Sequence, residues 1–101
     1  MDHDQDLQPL NKDEINNRLA DLPGWEYEDN RIEKSFEFPS FNDGLGLLNS
    51  LAPSLNQIDH HPVILIKYKK ISFCLTSHDL GDRLSGRDFR VAEIIEDLYG
   101  K

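Results

Sequence analysis

The chain has 101 residues, 38% hydrophobic and 30% charged, with a formal net charge of −8. That supports one domain with one modest core, and the acidic balance argues against nucleic acid as a primary partner, because phosphate contacts need clustered cations. A lone Cys74 permits no internal disulfide, no apolar stretch approaches membrane-spanning length, and "MDHDQDLQPL" lacks the basic and apolar parts of a signal peptide, so a cytoplasmic protein with no membrane partner is expected.

Residues 1–10 read as a flexible polar leader and residues 11–101 as the folded domain. Asn11 with Glu14 three places on has the form of a capping box, and Ile15, Leu19 and Leu22 recur at helical spacing until "LPG" ends the run. In "WEYEDNRIEKSFEF" the residues Ile32, Lys34, Phe36 and Phe38 share one parity, and "EDN" interrupts the alternation, which predicts a β-hairpin closed by Pro39. Ser40 then caps a second helix with a stripe of Phe41, Leu45, Leu48, Ala52 and Leu55, widened by Leu47 and Leu51. Gly44 and Gly46 weaken that helix, and Pro53 is expected to kink or shorten it. Two β-rich runs, Val63 to Tyr68 and Ile71 to Ser77, flank "KK" as a second hairpin. Ser85 and Asp88 form another capping-box pair, opening a helix with Phe89, Ala92, Ile95 (or Ile94) and Leu98 inward and Gly100 at its end. The order α-ββ-α-ββ-α predicts a single α+β domain: a four-stranded antiparallel sheet with helices packed on one face.

Three of the four histidines occur in two short stretches, "DHHP" at 59–62 and "TSHD" at 76–79. In an antiparallel hairpin the start of one strand lies beside the end of its partner, so the two stretches are expected to meet, with Asp88 close behind. Singly, each residue has an ordinary explanation as a turn or cap residue. A titratable cluster in one cleft is costly unless it is used, so convergence favours function. Metal binding is disfavoured, since adjacent residues on an extended chain point to opposite faces and neither an H-x-H nor an H-x-x-x-H pair exists. Ser77 beside His78 has no nucleophile elbow, and "DGLG" fits no phosphate loop. General acid–base chemistry by imidazoles remains, suited to dehydration, hydration or tautomerisation without a cofactor. The residues alone do not name the substrate.

The stretch "DHHPVILIKYKKISFCLTSHDLGDRLSGRD" resembles the pterin-4a-carbinolamine dehydratase family in His60-His61-Pro62, Tyr68, His78 and Asp88 at the family's spacing, and "LPGWEYEDNRIEKSFEF" resembles its first turn and hairpin. The resemblance implies the α+β fold read above and a hydro-lyase that dehydrates 4a-hydroxytetrahydropterin to the quinonoid dihydropterin, in tetrahydrobiopterin recycling for aromatic amino acid hydroxylases. It implies no cofactor, pterin being the substrate, and a homodimer or homotetramer. His60, His61, His78 and Asp88 would be catalytic: His60 and His78 transferring protons, His61 orienting substrate and Asp88 orienting a histidine. Asp59, Pro62, Thr76, Ser77 and Asp79 would bind substrate beside them. The alternative is a non-catalytic relative that binds pterin or acts as a dimerisation cofactor or coactivator. The chain departs from the family pattern at Asn56, where a charged residue is usual, and in "GDRLSG", which places Arg83 before Leu84 and is one residue longer than the usual loop.

Overall fold

The structure, a computed structural model, describes residues 7–100. Helix α1 (Lys12–Leu19) starts with the expected reciprocal cap: Glu14 N–H donates to Asn11 Oδ1 at 2.9 Å, and Asn11 N–H to Glu14 Oε1 at 3.0 Å. Strands β1 (Glu26–Glu28) and β2 (Arg31–Glu37) follow. Their two-residue turn places Asp29 and Asn30 both at positive φ, a conformation that these residue types tolerate best among non-glycines. Helix α2 (Phe41–Ile58), strands β3 (Val63–Lys67) and β4 (Lys70–Leu75), a short 3₁₀ turn (His78–Leu80) and helix α3 (Gly86–Tyr99) complete the chain. The sheet order is β1-β2-β4-β3 with every pairing antiparallel, and the helices cover one face, as the sequence predicts.

Parity fixes which side chains meet the helices. Ile32 lies opposite Leu75, Lys34 opposite Phe73 and Phe36 opposite Ile71, and the apolar members of these pairs are buried under α2 and α3. Phe89, Ala92 and Ile95 supply the inward face of α3. Trp25 and Lys34 both reach Glu96, with Nε1 at 2.8 Å and Nζ at 2.6 Å from Oε2, which ties the first hairpin to the last helix.

Three expectations change. The buried stripe of α2 is Gly44, Leu47, Leu51 and Leu55, while Phe41 and Ala52 face outward. The helix lies close on the sheet at Gly44, where a Cβ would come within 2.9 Å of Ile71 Cδ1. Pro53 does not shorten the helix: it lies on the exposed side, where water can reach the carbonyl left without its usual donor. The second hairpin turns at Tyr68 and Lys69, one residue earlier than "KK", with Tyr68 at φ 57° and Lys67 opposite Lys70. Residues 1–6 of the expected leader lie outside the described residues. Its last residues already pack, since Leu10 is buried and donates to Leu84 O at 2.8 Å, and Pro9 bridges to Ser85. Among the described residues no helix is long and apolar enough to cross a membrane.

Candidate functional site

Helix α2 ends at Asp59 in the left-handed conformation (φ 59°, ψ 47°), the usual way to satisfy the last carbonyls of a helix. Asp59 N–H and His60 N–H both return to Leu55 O, the latter at 3.2 Å. The reversal turns His60 inward, where it is 8% exposed, and leaves His61 outside. Adjacent histidines therefore occupy different environments.

His60 Nε2 lies 2.5 Å from Asp88 Oδ1. Asp88 is fully buried, the third residue of α3, and its Oδ2 accepts from Ser85 N–H and from Ser77 Oγ, each at 2.9 Å. Ser77 Oγ also lies 2.9 Å from Ser85 Oγ. Three donors thus converge on one carboxylate, which fits an acceptor-only group. The cap that starts α3 and the support of His60 are the same side chain.

His61 Nε2 lies 3.0 Å from Asn56 Oδ1 near the end of α2, so a neutral amide holds this ring. His78, at the start of the 3₁₀ turn, is exposed and pairs through Nδ1 with Asp82 Oδ1. Thr76 Oγ1 donates to Asn30 O at 2.8 Å, fastening the first hairpin turn beside the site. Antiparallel pairing brings the two histidine stretches together as expected, with Val63 opposite Cys74. His60, His61 and His78 line one cleft of about 400 Å³ with Asp59, Thr76, Asp79 and Arg87.

Three of the residues singled out from sequence are not on the cleft wall: Ser77 and Asp88 are fully buried beneath it, with the Ser77 hydroxyl engaged by Asp88 and Ser85. Pro62 is half-buried and is not part of the cleft wall. Sequence reasoning missed Arg87 and Asp82. Arg87 is 8% exposed, donates from Nη2 to Asp79 Oδ1 at 2.8 Å and from Nε to Ser85 Oγ at 3.3 Å. A usable signal existed, since a cation in the first turn of a helix opposes the macrodipole and calls for a partner.

The hydrogen bond from Arg87 holds the Asp79 carboxyl below its usual range, with the guanidinium charge adding to the effect. Because the folded-state value is depressed, the stability this pair contributes is present above the unfolded carboxylate pKa of about 3.9. It is lost as pH falls through the lowered folded value. In Arg87→Met the Asp79 titration midpoint, followed by carboxyl ¹³C NMR, is expected to rise toward the ordinary value. An unmoved midpoint would show that Arg87 is not its cause.

The chain matches the family model described as pterin 4 alpha carbinolamine dehydratase over residues 8–98. It is 38% identical over 89 residues to a protein of Roseiflexus castenholzii named "Putative pterin-4-alpha-carbinolamine dehydratase", covering 88% of this chain and 95% of the relative. It is 30% identical over 89 residues to a protein of the same name from Sulfolobus acidocaldarius, covering 88% and 97%. Among solved structures it is similar to a transcriptional coactivator/pterin dehydratase from Brucella melitensis, with a TM-score of 0.85, 26% identity and coverage of 90% and 98%. The fold is shared with a pterin dehydratase-like protein described as a RuBisCO assembly factor of the alpha-carboxysome, at a TM-score of 0.61 and 19% identity over 76% of this chain and 88% of that one. Sequence and fold, each over most of the chain, lead to the same conclusion: this protein belongs to the pterin-4a-carbinolamine dehydratase family.

Proposed function

We propose that the protein dehydrates a 4a-hydroxytetrahydropterin to the quinonoid dihydropterin by histidine general acid–base catalysis. The observation that carries this reading is the convergence of His60, His61 and His78 on one cleft in a chain of this family. The reaction takes up one proton and releases another. The N5 lone pair expels the 4a-hydroxyl, which leaves as water once protonated, and the C4a–N5 double bond forms. Loss of the N5 proton then gives the neutral quinonoid product. No oxidant or reductant enters, and two imidazoles able to exchange protons near neutral pH suffice. His60 and His78 are assigned to the proton transfers and His61 to orienting the pterin. Asp88 orients His60 from below. Asp59, Thr76 and Asp79 contribute polar groups to the cleft wall. The direct test is stopped-flow dehydration of chemically generated 4a-hydroxytetrahydropterin by purified protein. Water loss well above the buffer rate supports the reading, and a rate equal to buffer refutes it.

The working form is a homodimer or homotetramer. Strand β3 is an edge of the sheet and exposes Val63, Ile64, Leu65 and Ile66, with Leu65 56% exposed, a composition that leaves both apolar surface and unpaired backbone groups open. Light scattering of the purified protein is expected to give a multiple of the chain mass, and Leu65→Glu to shift it toward the monomer. A wild-type monomer would overturn this assignment. The Brucella relative is described as both transcriptional coactivator and pterin dehydratase, so a protein-binding role is the second reading. It is favoured if the dehydration assay fails while the oligomer forms.

A further inference from the structure

We propose that Asp82 is a positioning residue for His78: its carboxylate accepts the Nδ1 proton of the imidazole, fixing the tautomer and leaving Nε2 to exchange protons with a bound substrate. The inference deepens the dehydratase reading and rests on it for the role of His78. Asp82 lies in the loop between the 3₁₀ turn and α3.

The loop is built so that the two side chains meet. Leu80 N–H donates to Ser77 O at 3.1 Å and Gly81 N–H to His78 O at 3.0 Å, closing the 3₁₀ turn on which His78 sits. Gly81 (φ 73°) and Asp82 (φ 60°) are consecutive left-handed residues, which reverse the chain within two positions. The base is pinned by Ser77 N–H to Arg83 O at 3.0 Å and Arg83 N–H to Ser77 O at 3.4 Å. The reversal brings Asp82 Oδ1 to His78 Nδ1. Asp79, the acid next to His78 in the chain, is committed to Arg87.

Stability does not explain the arrangement. The side chains of His78 and Asp82 are 77% and 65% exposed, and ion pairs so open to water contribute little. A left-handed non-glycine residue opposes what little they gain. What the contact does change is the ring. A free neutral histidine prefers its proton on Nε2, whereas an acceptor at Nδ1 draws the proton there and frees the Nε2 lone pair. His78 lines the cleft, so the freed nitrogen belongs to a group already in the candidate site.

Two variants test this without losing the loop, because glycine and asparagine both accept the left-handed conformation. Asp82→Gly removes the acceptor, and Asp82→Asn keeps an oxygen that can accept from Nδ1–H but removes the charge. Ring ¹⁵N shifts of His78 are read about two pH units above the ordinary imidazole value, alongside kcat and KM for dehydration. The wild type is expected to show the Nδ1–H tautomer, retained in Asp82→Asn and reversed in Asp82→Gly. In Asp82→Gly kcat is expected to fall about 10-fold, the lower end of the range for loss of an orienting partner, with KM unchanged. An Nε2–H tautomer in the wild type, or ring shifts that Asp82→Gly leaves in place, overturns the proposal. If the wild type proves inactive, the dehydratase reading falls, and the ring shifts still decide what Asp82 does to His78.

Discussion

Asp88→Ala is expected to remove about 3–5 kcal/mol of folding stability, because three buried donors lose their acceptor at about 1–3 kcal/mol each before relaxation. Loss of a helix cap alone costs about 1 kcal/mol, and the difference between the two figures is the test. Asp88 serves His60, Ser77 and the Ser85 amide at once. Its removal leaves three buried donors facing an apolar methyl group, in a domain whose whole stability is of order 5–15 kcal/mol. Urea unfolding of both proteins reads the loss. A change near 1 kcal/mol would mean that Asp88 acts only as a cap and that His60 is held by other means. Should Asp88→Ala fail to fold, Asp88→Asn carries the test. It keeps the shape but replaces one acceptor oxygen with an NH₂ group facing donors, and a stability equal to wild type would refute the shared-carboxylate picture.

His78→Ala and His60→Ala are each expected to lower kcat for 4a-hydroxytetrahydropterin dehydration by about 10²–10⁴, the range for losing a general acid or base. The two variants differ in what else they disturb. His60 is nearly buried against Asp88, so its removal leaves Asp88 Oδ1 without its partner and lowers stability too. His78 is exposed and its truncation is expected to leave the unfolding midpoint within experimental error. His78→Ala is therefore the cleaner measurement. A kcat within a factor of two of wild type would exclude His78 from proton transfer. His61, held by a neutral amide, is expected to act mainly through KM when replaced by alanine.

Much of this was legible in the sequence because it depends on local rules. The caps at Asn11 and Ser85 follow from side-chain reach over three residues, and the faces of β2 and β4 follow from a period of two. The meeting of "DHHP" and "TSHD" needed only antiparallel topology. The contact face of α2 was only partly legible: Leu47, Leu51 and Leu55 were expected on it, but leucines at 45, 47, 48, 51 and 55 fill more than one stripe, and Gly44, which packs against Ile71, carries no hydrophobic signal. Arg87 could have been flagged by its place in the first turn of α3, but its partner, like that of Asp82, is set by how a loop folds back, which no periodicity encodes.

The double duty of Asp88 also links the site to motion. The first turn of a helix is where opening starts, because its amides lack partners further back in the chain. Here the carboxylate that closes this turn also anchors His60. Ser85 and Asp88 are fully buried, so the imidazole is held by a helix end that cannot open without disturbing the core around it.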